Sequence, residues 1–391
     1  MTPLIIWLFM RILTSITAAM TSSFKPLTPL EKMVAMLPPS VPVSQWLERV
    51  FVSPWIRWDA LWYQTIVTHG YSATDGTAQF HPLYPLLAIP LARLGLLSSI
   101  SLLLVSSLTG IAVYYFFFKL AQIDLPRNDA TFALMLFAFA PPALILFAPY
   151  SEAVFLLLAV LTMFFLLNKS WWLAGIMGGL AALTRQQGIF LLVPMAWELW
   201  ENAGRTAANL RKQRRDWLSL LLIPSGLLLW LIYRAIILND LQAGYKTFQQ
   251  FIYSTLISPS ASKVVPEQQF IWPWLALKAT YQKLVTQPDI DIWVDICLGV
   301  LFVILLGISW TRMRISYRLY SLQIFLVSFS YYTGTIHPYM GLPRHLYLAF
   351  PIFISLAAVI KIPWIRLVVI ALSAIAMLFL LVVYVLQTWI P

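Results

Sequence analysis

A carboxylate set among aromatic rings, with arginines elsewhere in apolar surroundings, is the part of this sequence that can do chemistry. Asp59 lies in Arg57-Trp58-Asp59-Ala60-Leu61-Trp62-Tyr63, a polar stretch that runs through His69-Gly70-Tyr71 to Phe80-His81-Pro82-Leu83-Tyr84-Pro85. An ionised acid just outside a lipid phase can take the proton from a hydroxyl as that oxygen attacks. Trp58, Trp62 and Tyr63 offer flat faces for a sugar ring or a prenyl chain. Asp59 can also cap a helix over 60–69 that stops at Gly70. The two roles are compatible, because a helix start keeps a carboxylate ionised.

Ionisable residues inside apolar segments cost about 2.5–3.5 kcal/mol on insertion scales, so they turn toward a bundle interior or a wet cavity. Arg185 is such a residue, beside Gln186 and Gln187. Its guanidinium can grip a phosphate through two parallel hydrogen bonds, or pair with Glu152. Glu152 opens an apolar run and can orient a substrate hydroxyl. Arg344 follows the turn Ile336-His337-Pro338-Tyr339-Met340-Gly341-Leu342-Pro343 and can add a second positive charge at a leaving phosphate. His81, His337 and His345 form a looser polar set. The 4 histidines lack the short paired spacing of a zinc site, and Asp75 belongs to a Thr74-Asp75-Gly76 turn rather than to a carboxylate pair with Asp59. No cofactor is evident, and a divalent cation stays open.

The elements that must position these groups are membrane helices. The chain has 391 residues, 60% hydrophobic and 10% charged, where a soluble domain carries roughly 25% charged. Its mean hydropathy is +0.80. A formal charge of +11 fits loops biased toward one side of a membrane and contact with membrane lipids better than nucleic-acid binding. The single cysteine, Cys297, reads as a small buried apolar residue. Apolar runs at 4–20, 99–118, 131–149, 152–167, 217–238, 293–310, 318–335, 344–360 and 364–388 predict spanning helices. The stretch 171–200 reads as two short segments meeting at Arg185-Gln186-Gln187-Gly188. The expected fold is one all-α polytopic domain over 1–391 with about eleven segments, and 1–20 is its first span rather than a cleaved signal.

With the N-terminus inside, the loops 119–130, 168–170, 201–216, 311–317 and 361–363 are cytoplasmic and dense in Lys and Arg, most of all in Arg211-Lys212-Gln213-Arg214-Arg215. The outer side receives a first long loop, 21–98, and a second, 239–292. Asp59, Glu152, Arg185 and Arg344 then all emerge on that outer face. The helix at 60–69, with Leu61, Trp62, Thr65 and Ile66 on one side, is expected to lie on the membrane surface. Arg234 is expected to snorkel, and Arg11 has no account.

In order, Arg57-Trp58-Asp59, His69-Gly70-Tyr71, Phe80-His81-Pro82-Leu83-Tyr84-Pro85, Pro149-Tyr150-Ser151-Glu152, Leu183-Thr184-Arg185-Gln186-Gln187-Gly188, and Arg344 with Phe350-Pro351 resemble the PIG-V family. These are GPI mannosyltransferase 2 and its bacterial relatives, within the GT-C class of polytopic glycosyltransferases. The resemblance spans about residues 55–355 and implies a GT-C-like bundle with an outward-facing site at the cell membrane. It further implies a polyprenyl- or dolichyl-phosphate sugar donor, with Asp59 at the catalytic centre. Donor phosphate binding is expected at Arg185 and Arg344. Substrate binding is expected at Trp58, Trp62, His81, Tyr84, Tyr150, Glu152, Gln186 and His337. The chain departs from eukaryotic members, which read Arg-x-Asn-Gly and Phe-Phe-Pro where it has Arg185-Gln186-Gln187-Gly188 and Phe80-His81-Pro82. A bacterial relative is therefore expected, and the GPI acceptor does not carry over.

The expected reaction is inverting transfer of a sugar, mannose first, to a lipid or glycan acceptor. The alternatives are another lipid-linked sugar on the same fold, or a transporter or lipid flippase, since broken apolar segments also occur in carriers. Against a carrier stand the long outer loops and the lack of an inverted repeat.

Overall fold

The computed structural model describes residues 1–24, 46–206, 213–239 and 268–386. Parts of both long outer loops, 25–45 and 240–267, and Arg211-Lys212 of the basic run lie outside the described residues. Among the described residues, five helical runs are long and apolar enough to cross a membrane: Thr2–Phe24, Ser98–Asp124, Arg214–Ile236, Ile290–Arg312 and Pro363–Val385. At 27 residues, Ser98–Asp124 is about 40 Å long, more than a hydrocarbon core of about 30 Å. Helix Pro363–Val385 buries Met377, Leu380, Leu381 and Tyr384 yet exposes Leu367, Leu372, Ile375 and Phe379. A helix apolar on its outer side as well as its inner one belongs in lipid.

Other predicted spans are broken, so the expectation of about eleven crossing segments is not met by eleven continuous helices among the described residues. The 131–149 span is a helix, Arg127–Ala138, followed by a 3-10 turn, Pro141–Leu146. Pro141 and Pro142 lack the N–H groups that would continue the helix. The 344–360 span divides into Leu342–Tyr347 and Pro351–Val359. The polar break in 171–200 is a 3-10 turn, Gln186–Leu191, between the helices Trp171–Thr184 and Leu192–Asn202.

Two features fix the bundle around the polar motifs. Helix Trp171–Thr184 crosses Leu222–Ile236 at backbone contact, and a Cβ on Gly226 would meet the carbonyl oxygen of Gly179 at 1.9 Å. Small residues permit that approach, which sets where Arg185 leaves its helix. An aromatic column joins three elements: Phe117 stacks on Phe137 at 4.5 Å, and Phe137 on Tyr347 at 4.9 Å. Tyr347 also donates to the Phe137 carbonyl at 2.9 Å, locking the short helix that carries Arg344. The one sheet among the described residues pairs Gln269–Phe270 antiparallel with Tyr331–Tyr332.

Three of the five loops dense in Lys and Arg, 119–130, 311–317 and 361–363, gather at one place. Arg314 pairs with Asp124, while Lys361 and Arg366 each meet Asp129 at 2.6 Å. Ser106, on the same helix as Asp124, contacts the Tyr150 carbonyl at 3.5 Å. Asp124 stands about 27 Å further along that helix. The basic loops and the polar motifs therefore occupy opposite ends of the bundle.

Three expectations need correction, and one residue left without an account gains one. The Asp59–His69 helix is no surface amphipath: Ala60, Trp62, Tyr63, Gln64 and Ile66 are buried around its circumference. Arg234 is buried rather than snorkelling. Cys297 is exposed on its helix instead of buried. Arg11 now has an account: it donates to the Phe147 carbonyl at 2.8 Å and lies over the Trp55 ring, 5.5 Å from its centroid.

Candidate active site

The peptide before Asp59 is strained. Trp58 has φ 49° and ψ −117°, a conformation that L residues avoid. Its surroundings hold it there. Tyr150 donates its hydroxyl to the Arg57 carbonyl at 3.1 Å. The Arg57 guanidinium donates to the Ser53 and Ile56 carbonyls at 2.8 and 2.7 Å. Tyr384, from the last described helix, donates to the Trp55 carbonyl at 3.0 Å.

Asp59 is consequently the first helical residue and not a cap. Its side chain makes no capping bond, which corrects the capping expectation. The carboxylate instead accepts from Arg344, with Oδ2 to Nη1 at 2.6 Å. Arg344 also lies over the Tyr150 ring, 5.5 Å from its centroid, and its Nε is 3.4 Å from Oε1 of Glu152. That same Oε1 accepts from Arg185 at 2.6 Å, and Arg185 donates further to Ser151 Oγ at 3.1 Å. Two acids and two bases thus alternate as Asp59–Arg344–Glu152–Arg185.

Exposure grades along this chain. The Glu152 side chain is fully enclosed, Arg344 and Arg185 retain 11% and 13%, and Asp59 retains 27%. Glu152 is therefore a buried anchor that holds two guanidiniums, and the expectation that it orients a substrate hydroxyl by contact is corrected. Arg185 Nε, Arg344 Nε and Glu152 Oε2 are buried without a hydrogen-bond partner. Both nitrogens are sealed from solvent in this conformation, and Arg344 Nε faces Glu152 Oε1, so a bound anion would first have to displace part of this pairing.

The remaining predicted residues divide. Trp58 and Trp62 are buried, and the Trp62 ring is stacked on Phe80 at 5.7 Å, so that face is already taken. Tyr84 is fully buried, donating to the Leu102 carbonyl at 3.0 Å and bonded to Ser106 at 2.9 Å. Tyr150 is fully buried beneath Arg344. Both tyrosines support the site rather than touch substrate in this conformation. His337 is engaged by Asp295 at 3.0 Å, within the turn ahead of Arg344. Gln186 opens the 3-10 turn after Arg185 and is partly buried. His81 hydrogen-bonds the Ala182 carbonyl through Nδ1 at 3.0 Å. His345 is buried with its ring against Tyr331.

Sequence reasoning missed Tyr384, Arg57 and Ser151. Tyr384 left one signal, a lone phenol in a long apolar helix. Tyr63, known from its motif, is buried against Phe80 and Tyr84, and burial raises its phenol far above the ordinary value, with Arg185 pulling it back.

The donor set does not fit a resident divalent cation. Both carboxylates at the site face guanidiniums, Asp75 accepts from Thr77 within its own turn, and no group of three or more His, Cys, Asp or Glu gathers among the described residues.

A family model described as mannosyltransferase (PIG-V) matches residues 2–332. Arg344 and Tyr384 lie beyond the matched stretch. GPI alpha-1,6-mannosyltransferase 2 of Cricetulus griseus is 31% identical over 230 residues, covering 54% of this chain and 42% of that protein. The chain therefore spans less than half the length of that curated relative. Two solved structures are similar at greater distance. ArnT from Cupriavidus metallidurans, bound to undecaprenyl phosphate, is 12% identical with a TM-score of 0.49, over 94% of this chain and 63% of that one. The Archaeoglobus fulgidus oligosaccharyltransferase is 11% identical with a TM-score of 0.42, over 97% and 55%.

Proposed function

This chain belongs to the PIG-V mannosyltransferase family, and from that premise we propose that it moves a sugar, mannose first, from a polyprenyl phosphate to a hydroxyl of a lipid or glycan. The reading places the reaction at the outer face of the cell membrane in a GT-C-like bundle. The observation that carries it is the partly accessible Asp59 carboxylate paired with Arg344, beside a second guanidinium, Arg185, with both arginines held by the buried Glu152.

Asp59 accepts the proton of the acceptor hydroxyl as that oxygen bonds to the anomeric carbon. The bond from the anomeric carbon to the phosphate oxygen breaks, and its electron pair leaves with the lipid phosphate. Arg185 and Arg344 offset the charge that develops there, so no second protonating acid is required. Attack opposite the leaving group inverts the anomeric centre. In the resting site Arg344 holds the Asp59 carboxylate in place through the 2.6 Å contact. A donor phosphate competes for Arg344 and frees the carboxylate to act as base.

The test is transfer by the purified protein in lipid nanodiscs, supplied with labelled polyprenyl-phosphate mannose, glucose or aminoarabinose and a membrane lipid extract. Product from the mannose donor, with inverted configuration by NMR, is expected. Absence of product from every lipid-phosphate donor would remove the proposal. Orientation is tested by a cysteine placed at Thr74 in a Cys297→Ser background, which a membrane-impermeant maleimide should label from outside intact cells.

A further inference from the structure

The transferase reading leaves His81, a polar group beside the Arg185 helix, without a task. His81 sits between Phe80 and Pro82, and its Nδ1 is 3.0 Å from the Ala182 carbonyl oxygen. A carbonyl only accepts, so Nδ1 carries the hydrogen and Nε2 carries a lone pair. Burial first, and then the charge of Arg185, push the ring's pKa down to about 3, against the pull of the Ala182 carbonyl. The imidazole is therefore neutral throughout the physiological range. Among the described residues Nε2 makes no hydrogen bond, and the residue is half-buried, its ring centroid 6.2 Å from that of Trp230.

Its place ties it to the reacting groups. Ala182 belongs to the final turn of the helix that delivers Arg185. Phe80, its neighbour in the chain, packs on Trp62 at 5.7 Å and on Tyr63 at 5.1 Å, both on the helix that begins with Asp59. The other polar groups divide by chemistry. Guanidiniums can only donate, and Asp59 is committed to the acceptor hydroxyl. A sugar ring brings several hydroxyls, each with a hydrogen to donate, and a neutral imidazole nitrogen accepts one without competing for the phosphate.

We infer that His81 is a specificity-determining residue, its Nε2 accepting a hydrogen bond from one hydroxyl of the sugar carried on the lipid phosphate. The inference rests on the transferase reading and names the chemistry by which that site recognises its donor.

The test compares polyprenyl-phosphate mannose with its monodeoxy analogues, one hydroxyl removed at a time, on the wild type, His81→Phe and His81→Gln in nanodiscs. Phe keeps an aromatic ring and removes the acceptor; Gln restores a neutral acceptor on a side chain of similar reach. In the wild type, one analogue should lose about tenfold or more in kcat/KM. His81→Phe should lower the parent sugar to that level and leave that analogue unchanged, and His81→Gln should recover part of the preference. Equal losses for the parent and every analogue would mean that His81 only braces the Ala182 carbonyl, and would overturn the inference. So would a wild type that turns over all the analogues alike, a result that needs no variant to fold. A wild type inactive with every lipid-phosphate sugar would instead overturn the transferase reading, and this inference with it.

Discussion

Asp59 and Arg344, 285 positions apart, meet through a 2.6 Å ion pair between the Asp59–His69 helix and the short helix Leu342–Tyr347. Neither needs the other to hold the fold. Arg344 is also held by Glu152 and by the Tyr150 ring, and the backbone at Asp59 is fixed by Tyr150, Arg57 and Tyr384. A contact that two separate scaffolds force together at the accessible edge of a polar cluster is available for exchange with a ligand.

Asp59→Asn should keep the shape and remove the base. Transfer from a labelled lipid-phosphate sugar should fall by about 10²–10⁴-fold, the usual worth of a general base. Near-native transfer by a folded Asp59→Asn protein would end the assignment.

Arg185→Ala should act on the donor. Losing charge-assisted hydrogen bonds to a phosphate should cost about 10- to 100-fold in donor kcat/KM, with a much smaller change in acceptor KM. Equal effects on both substrates would argue that Arg185 only neutralises Glu152.

Glu152→Gln should destabilise more than Asp59→Asn does. Removing one member of a buried, paired set costs about 3–5 kcal/mol, because the remaining charges lose their counterion. In Asp59→Asn, Arg344 still has Glu152. Thermal unfolding in detergent should rank the variants wild type, Asp59→Asn, Glu152→Gln, and the reverse order of the last two would refute the anchor role of Glu152.

Gly188→Ala should not be tolerated. A Cβ there would lie 2.2 Å from the Ala182 backbone nitrogen, and backbone cannot step aside as a side chain can. Poor yield of folded protein is expected, since the turn that carries Arg185 must open. Wild-type yield and activity would contradict the packing.

Acid should weaken the far end of the bundle. Burial raises the Asp129 carboxyl, but Lys361 and Arg366 outweigh it and hold its pKa below the ordinary value. A lowered folded-state pKa stabilises at pH above the unfolded value, and that stability is lost as pH falls through the folded one. Unfolding midpoints measured between pH 7 and strongly acid conditions should therefore fall less steeply for Asp129→Asn than for the wild type. Parallel curves would count against the linkage.

The sequence by itself determined the class of the molecule and the identity of its reactive groups. Long apolar runs with few charges require lipid, and Arg185 or Glu152 within such runs must find polar company. Those are local properties, set by composition and by the cost of burying charge. The polar break at 185–188 and the Asp75 turn were legible for the same reason, because neighbours in the chain make them. What only the tertiary structure decided is who meets whom. Arg185 goes to Glu152, and Arg344 goes to Asp59, while Tyr84 and Tyr150 become enclosed supports. The helix near Asp59 is buried instead of lying on the surface. Each of these outcomes depends on where helices cross, and the crossings follow from close contacts such as Gly179 with Gly226 and the Phe117–Phe137–Tyr347 column. A guanidinium accepts any carboxylate within reach, so side-chain chemistry names the candidates and packing alone selects the pair.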